Sequence, residues 1–177
     1  MAIAPSFGSL LQYASCEIAM SLRFITALVL SIVCLPTPAW ADTETGMDAY
    51  NRGDYATALK ELRPLAEQGD ANAQFNLGVL YYNGEGVSQD YVQARQWFEK
   101  AAAQGYVYAQ NSLGVLYYKG QGVLQDYVQA HMWYSLAAAN GDKKAGDLRD
   151  RLARKMTPAQ IDLAQRLAQE WKPPRNE

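Results

Sequence analysis

From residue 73 to residue 141 the apolar positions recur at helical spacing, in segments separated by glycine-rich turns. Ala73, Leu77 and Tyr81 stand four apart with Leu80 beside them, so they share one face of a predicted helix. Asn83-Gly84-Glu85-Gly86 ends that helix, because glycine takes the left-handed terminal conformation at no steric cost. Asp90 then opens a second helix. Its carboxylate can accept from the free backbone N–H groups, and Gln93, three residues on, can complete a capping box. Ala94, Trp97, Phe98, Ala101 and Ala102 follow the spacing of a buried stripe, and Gly105 closes the segment. Gly78 sits inside the first helix, where glycine costs about 1 kcal/mol relative to alanine. Close approach of the partner helix is the expected return.

The whole unit then repeats. Residues 73–105 align with 109–141 at an offset of 36, with 22 of 33 positions identical. Ala109, Leu113, Gly114, Tyr117, Gly120 and Gly122 stand where Ala73, Leu77, Gly78, Tyr81, Gly84 and Gly86 stand in the first copy. Asp126, Ala130 and Trp133 likewise repeat Asp90, Ala94 and Trp97, with Gln129 repeating Gln93 and Gly141 repeating Gly105. All these motif positions read as structural, with Tyr81 and Tyr117 assigned to the core.

An earlier unit is visible at the same spacing, since Asp54, Tyr55, Ala58, Ala66 and Gly69 precede Asp90, Tyr91, Ala94, Ala102 and Gly105 by 36. Its first helix, around Thr45–Asn51, is short and lacks the Gly-x-Gly turn, as befits the end unit of an array. On the other side, Lys143–Arg154 reads as the first helix of a degenerate unit, with Ala145 aligned to Ala109. Thr157-Pro158-Ala159-Gln160 is a strong helix start, and Ile161, Ala164, Leu167, Ala168 and Trp171 would form the buried stripe of a C-terminal cap ending at Pro173-Pro174. The expected organisation is therefore an N-terminal hairpin over 42–71, repeats over 72–106 and 107–141, and a degenerate repeat with its capping helix over 142–177.

Residues 1–41 differ in kind. Arg23 precedes an uncharged apolar run from Phe24 to Leu35, then Pro36-Thr37-Pro38 and Ala39-Trp40-Ala41. A positive start, a short apolar core and small residues at the −3 and −1 positions are the pattern of a secretory signal, cut between Ala41 and Asp42. The 12-residue run is too short to span a bilayer as a helix, which takes about 20 residues. Translation could begin at Met1 or at Met20, whose Met20-Ser21-Leu22-Arg23 makes the more ordinary leader. Lipidation at Cys34 and an uncleaved anchor are the alternatives. Ser31-Ile32-Val33 before Cys34 and the prolines after it argue against them. Both cysteines, Cys16 and Cys34, fall in this segment, so the expected product is a periplasmic or secreted chain without a disulfide, touching the membrane only through its leader.

Composition narrows the chemistry. Lys+Arg number 16 against 18 Asp+Glu, for a net charge of −2, so the basic excess of a nucleic-acid binder is missing. His131 is the only imidazole. It occupies the position of Arg95, on the predicted outer side of a second helix, and reads as a solvated surface residue. As a general base it would need a nucleophile within about 3 Å, which the repeat register does not suggest. One histidine and two leader cysteines do not supply a zinc site, so no metal, cofactor or catalytic residue is expected. Asp90 and Asp126 are better read as helix caps than as paired acids, and Gly84-Glu85-Gly86 is a turn without the Lys-Ser/Thr of a phosphate loop.

At these residues the pattern resembles the Sel-1-like repeat, a longer relative of the tetratricopeptide repeat. The spacing Ala-x-x-x-Leu-Gly-x-x-Tyr-x-x-Gly-x-Gly-Val-x-x-Asp-x-x-x-Ala-x-x-Trp is present twice in tandem, while Ala49–Tyr55 is similar to a tetratricopeptide unit. The resemblance implies an all-α fold: a right-handed α-solenoid of tandem helix-turn-helix repeats with a capping helix, its first helices lining a concave face. It implies a non-catalytic scaffold or adaptor of the cell envelope that binds a protein or peptide there. By register that face would hold Asn72, Phe75, Val79, Tyr82 and Asn83, then Tyr108, Asn111, Val115, Tyr118 and Lys119. Two other readings stay open: an envelope enzyme or binder of a cell-wall or β-lactam-like molecule, and a self-assembling spacer. A cysteine-rich branch of the family is linked to β-lactams, but this chain lacks that branch's disulfides and any Ser-x-x-Lys. Tyr82, Tyr108 and Tyr118 suit either groove anchors or packing between repeats.

Overall fold

A computed structural model describes residues 43–172. The leader with its cut site, Cys16, Cys34, Met20 and Pro173-Pro174 lie outside the described residues. Eight helices and no strand are found among the described residues: α1 (Thr43–Asn51), α2 (Tyr55–Glu67), α3 (Ala71–Asn83), α4 (Tyr91–Ala103), α5 (Val107–Lys119), α6 (Tyr127–Ala139), α7 (Lys143–Ala153) and α8 (Pro158–Glu170). From α1 to α7 each helix packs on the next, the arrangement of a helical solenoid.

Aspartates start most of these helices. Asp54, Asp70, Asp90, Asp126 and Asp142 each cap a helix, accepting from backbone N–H groups at 2.7–3.2 Å. Capping at Asp90 and Asp126 was expected; the reciprocal bond from Gln93 or Gln129 is not what forms. The N–H groups of Asp90 and Asp126 are already taken, at 2.9 and 3.0 Å, by the carbonyls of Tyr81 and Tyr117, which closes the Gly-x-Gly turn. The complete box forms at Thr157 and Gln160, where α8 begins.

The interior glycines meet the expectation of close helix approach. A Cβ on Gly78 would lie 2.6 Å from the Phe98 ring, and one on Gly114 would lie 2.5 Å from the Tyr134 ring. Each glycine of α3 and α5 therefore seats the aromatic residue of the following helix against bare backbone. Gly86 and Gly122 have a second duty beyond turning. At φ 72° and 69° they press on the backbone of Tyr55 and Tyr91, the first residues of the second helices one repeat earlier.

The core forms three clusters along the array. Ala49, Leu62 and Leu77 belong to the first, Phe98, Leu113 and Trp133 to the middle one, and Tyr134, Leu152 and Ala164 to the last. Tyr81 and Tyr117 were expected inside the core. They are half-buried instead, each ring packed between two neighbouring clusters. The Tyr81 hydroxyl reaches out to accept from Arg63 at 3.2 Å. Trp97 is half-buried too, with the Lys100 ammonium 3.9 Å above its ring.

The C-terminal helix caps the array by a route that departs from the repeat. The connection from α3 to α4 uses seven residues with two left-handed glycines; that from α7 to α8 uses four and has neither. Accordingly α8 packs on α6. Of its predicted stripe Ala164 is fully buried, while Ile161, Leu167, Ala168 and Trp171 are half-buried, Trp171 standing edge-on to Trp133 at 5.6 Å. This placement overturns the reading of His131 as a solvated residue: it is 3% exposed, roofed by α8.

Candidate functional site

The first helices of successive repeats stand side by side, and the residues expected on their shared face divide into three groups. Phe75 and Tyr108 join Tyr106 and Phe98 in an aromatic cluster, with Phe75 ring centroids 5.1 Å from Tyr106, 5.7 Å from Phe98 and 6.2 Å from Tyr108. Tyr108 is 63% exposed, which leaves a large apolar surface in water. Tyr106 donates its hydroxyl to Asn72 at 3.2 Å, tying α5 to α3.

Val79, Tyr82 and Val115 meet in a hollow of about 230 Å³, with Ser112 on its wall and Phe98 of α4 also lining it. The Tyr82 ring stands edge-on to Tyr91 at 5.3 Å, and its hydroxyl donates to Gln121 and accepts from Lys119, both at 3.2 Å. Tyr82 therefore both packs between repeats and lines the groove.

A second hollow, of about 320 Å³, is lined by Tyr118, Tyr134, Leu148, Arg151, Leu152 and Lys155. Tyr118, Tyr134, Leu148 and Arg151 stand 36 residues after Tyr82, Phe98, Ser112 and Val115 of the first hollow. Tyr118 stacks on Tyr127 at 5.7 Å and accepts from Lys155 at 2.8 Å, as Tyr82 accepts from Lys119. That bond holds the Lys155 ammonium above the ordinary lysine range. Burial pushes the Tyr134 phenol up to about 12, so the second hollow is floored by a neutral hydroxyl-bearing ring.

The remaining two face residues are engaged elsewhere. Asn83 donates to Glu85 at 3.1 Å within its own turn, and Asn111 donates to Asp142, the cap of α7, at 2.6 Å. The register projection stopped at α5 and so missed Leu148, Arg151 and Lys155. Adding one more offset of 36 to Ser112, Val115 and Lys119 finds all three.

His131 was also misplaced by register. Ser135 Oγ lies 3.4 Å from its Nδ1, but that hydroxyl donates to the His131 carbonyl at 2.8 Å, the ordinary back-bond of a helical serine. Burial first, and the Arg149 charge second, push the imidazole below its usual 6.5 against the pull of Asp150. This is a packed neutral histidine. Its signal was legible in the copy-to-copy differences: Arg95, Gln96, Glu99 and Lys100 on α4 become His131, Met132, Ser135 and Leu136 on α6. A face that loses its charges is a face that something covers.

The sequence-family comparison reads these same repeats. Residues 71–106 and 107–142 each match the family model of the Sel1 repeat. The chain carries two tandem Sel1 repeats. Solved structures agree. A protective antigen present in uropathogenic Escherichia coli strains, displaying an SLR fold, is 36% identical, with a TM-score of 0.69 over 72% of this chain and 28% of that one. A Sel1 repeat protein from Oxalobacter formigenes is 31% identical, with a TM-score of 0.62 over 72% of this chain and 55% of its own. This chain thus spans under two-thirds of the length of either relative. Comparison with curated proteins finds no significant match. Sel1 repeats generally form scaffolds for protein interaction, and Sel1 proteins are typically non-catalytic.

Proposed function

We propose that this Sel1-repeat protein is a non-catalytic adaptor of the cell envelope that holds a protein or extended peptide along the face of α3, α5 and α7. The observation that supports this most is the pair of repeat-related hollows, floored by Phe98 and Tyr134 and flanked by Tyr82 and Tyr118. Aromatic side chains there offer contact area at low entropic cost, and rigid stacked helices lower the ordering cost of binding. The exposed Tyr108 adds a third aromatic surface on the same helices. The envelope location rests on the apolar leader and the Ala39-Trp40-Ala41 cut site.

Crosslinking in intact cells followed by pull-down tests the binding reading. Tyr82→Ala combined with Tyr118→Ala should abolish capture of the crosslinked partner while the helical circular dichroism stays intact. Unchanged capture by that variant would remove the face from the proposal. Osmotic-shock fractionation with N-terminal sequencing tests the address: a product in the shock fluid beginning at Asp42 is expected, and a cytoplasmic product retaining residues 1–41 would refute it.

A further inference from the structure

The cations of the groove have phenols, and no carboxylate, as partners. Lys119 and Lys155 each donate to a tyrosine hydroxyl one repeat earlier, and among the described residues no Asp or Glu oxygen lies within 4 Å of either ammonium. An ammonium has three donors, and one bond to a neutral phenol leaves its charge uncompensated. Arg151, on the wall of the second hollow, donates its Nε to the main-chain carbonyl of Asp147 at 3.3 Å and forms no ion pair within 4 Å among the described residues. Asp147 and Asp150 line a separate hollow with Arg151 and Arg154; neither lines the groove hollows.

The arrangement is also directional. The turn-end position after each groove tyrosine is Asn83 on α3 and Lys119 on α5, and Lys155 follows at the same offset beyond α7. The wall position is Val79 on α3, Val115 on α5 and Arg151 on α7. Charge therefore rises toward the C-terminal end of the groove, while the apolar floor persists in both hollows.

We propose that the groove reads an extended peptide in which bulky apolar side chains alternate with carboxylates. The apolar side chains enter the two hollows, and Lys119, Arg151 and Lys155 hold the carboxylates. This deepens, and rests on, the reading of the groove as the binding face. Successive first helices share the walls of each hollow; at a helix-to-helix step of about 10 Å, with about 3.3 Å per residue of extended chain, an anchor spacing of about three residues is the one to test. The acidic positions lie beside the anchors, toward the α7 end.

Fluorescence anisotropy with four labelled synthetic peptides tests this on the purified protein. One peptide carries Leu and Phe three residues apart, each followed by Asp. The second replaces Asp by Asn, the third replaces Asp by Lys, and the fourth keeps Asp but replaces Leu and Phe by Ser. Each is measured against the parent protein, against Lys119→Gln with Lys155→Gln, and against Tyr82→Ala with Tyr118→Ala. Both lysines are exposed, so the glutamine variant should melt like the parent.

Binding of the first peptide alone is expected, about tenfold or more weaker in the glutamine variant and in raised salt, and lost in the tyrosine variant. Equal binding of the Asn peptide, insensitive to the glutamine changes but lost with the tyrosines, overturns acidic recognition and leaves the groove standing. Equal binding of the peptide without Leu and Phe overturns the apolar anchors. Binding of the first peptide that neither variant disturbs overturns this inference and the groove reading together. Absence of binding by the first peptide, or preference for the Lys peptide, overturns the inference whatever crosslinking in cells captures.

Discussion

Gly114 and Gln110 show how much a single position carries in this array. Gly114 leaves the Tyr134 ring directly on helix backbone. Gly114→Ala gains about 1 kcal/mol of helix propensity but overpacks a close contact, which typically costs about 1–3 kcal/mol. A lower urea midpoint is expected, partly restored by Tyr134→Leu in the double variant; a higher midpoint would mean that the ring moves aside freely. Gln110 is 1% exposed and accepts from Asn140 at 3.0 Å while its amide faces the Ala102 carbonyl at 3.5 Å. Gln74 does the same one repeat earlier, donating to Ala66 at 3.0 Å and accepting from Gln104 at 2.8 Å. These amides satisfy the carbonyl ends of the preceding second helices. Gln110→Leu should cost about 1 kcal/mol in denaturant melts, because Asn140 loses its acceptor while the Ala102 carbonyl keeps the Gly105 N–H at 2.9 Å. The glycine was readable from the sequence because an interior helical glycine needs a reason. The glutamine was not, because a polar residue on a helix reads as surface until the next repeat is laid over it.

At the scale of the helix, α8 decides the character of α6. Its covering contact leaves His131 neutral in a setting that includes Arg149, Asp150, Ser135, Gln165 and Gln169. With the folded pKa below the ordinary 6.5, the unfolded chain binds the proton first as pH falls. Stability is therefore full above that value and declines as pH drops toward the folded pKa. Urea midpoints should be lower at about pH 5 than at about pH 7.5, and His131→Gln should flatten the difference. An equally steep dependence in the variant would assign it to the carboxylates. Trp171→Ala should loosen α8 and raise hydrogen exchange in α6 first, since Trp171 stands on Trp133. That the segment from Thr157 is a helix follows from its capping box and stripe. Where it docks does not, because a helix with one apolar face is satisfied by any matching groove, and here the short α7–α8 connection selects α6.

The whole molecule behaves as a short linear array. Tyr81 and Tyr117 each bridge two core clusters, so loss of one repeat weakens its neighbours. Leu77→Ala, in the first cluster, should cost about 2–5 kcal/mol. Its loss of exchange protection should spread to α2 and α4 before α6 and α7; uniform loss would indicate one indivisible core instead. At this scale the sequence by itself determined the helices, the repeat of 36 and the caps, because these depend on neighbours within a few residues and on periodicity that a single chain displays. Tertiary structure alone decided that His131 is buried, that Gln74 and Gln110 serve as carbonyl caps, and that Lys119 and Lys155 pair with phenols. The carbonyls that Gln74 and Gln110 reach lie only eight residues back, across a turn, but the remaining partners are 30 to 37 residues away or in a helix outside the repeat, and position along the chain encodes distance in space only where the register continues.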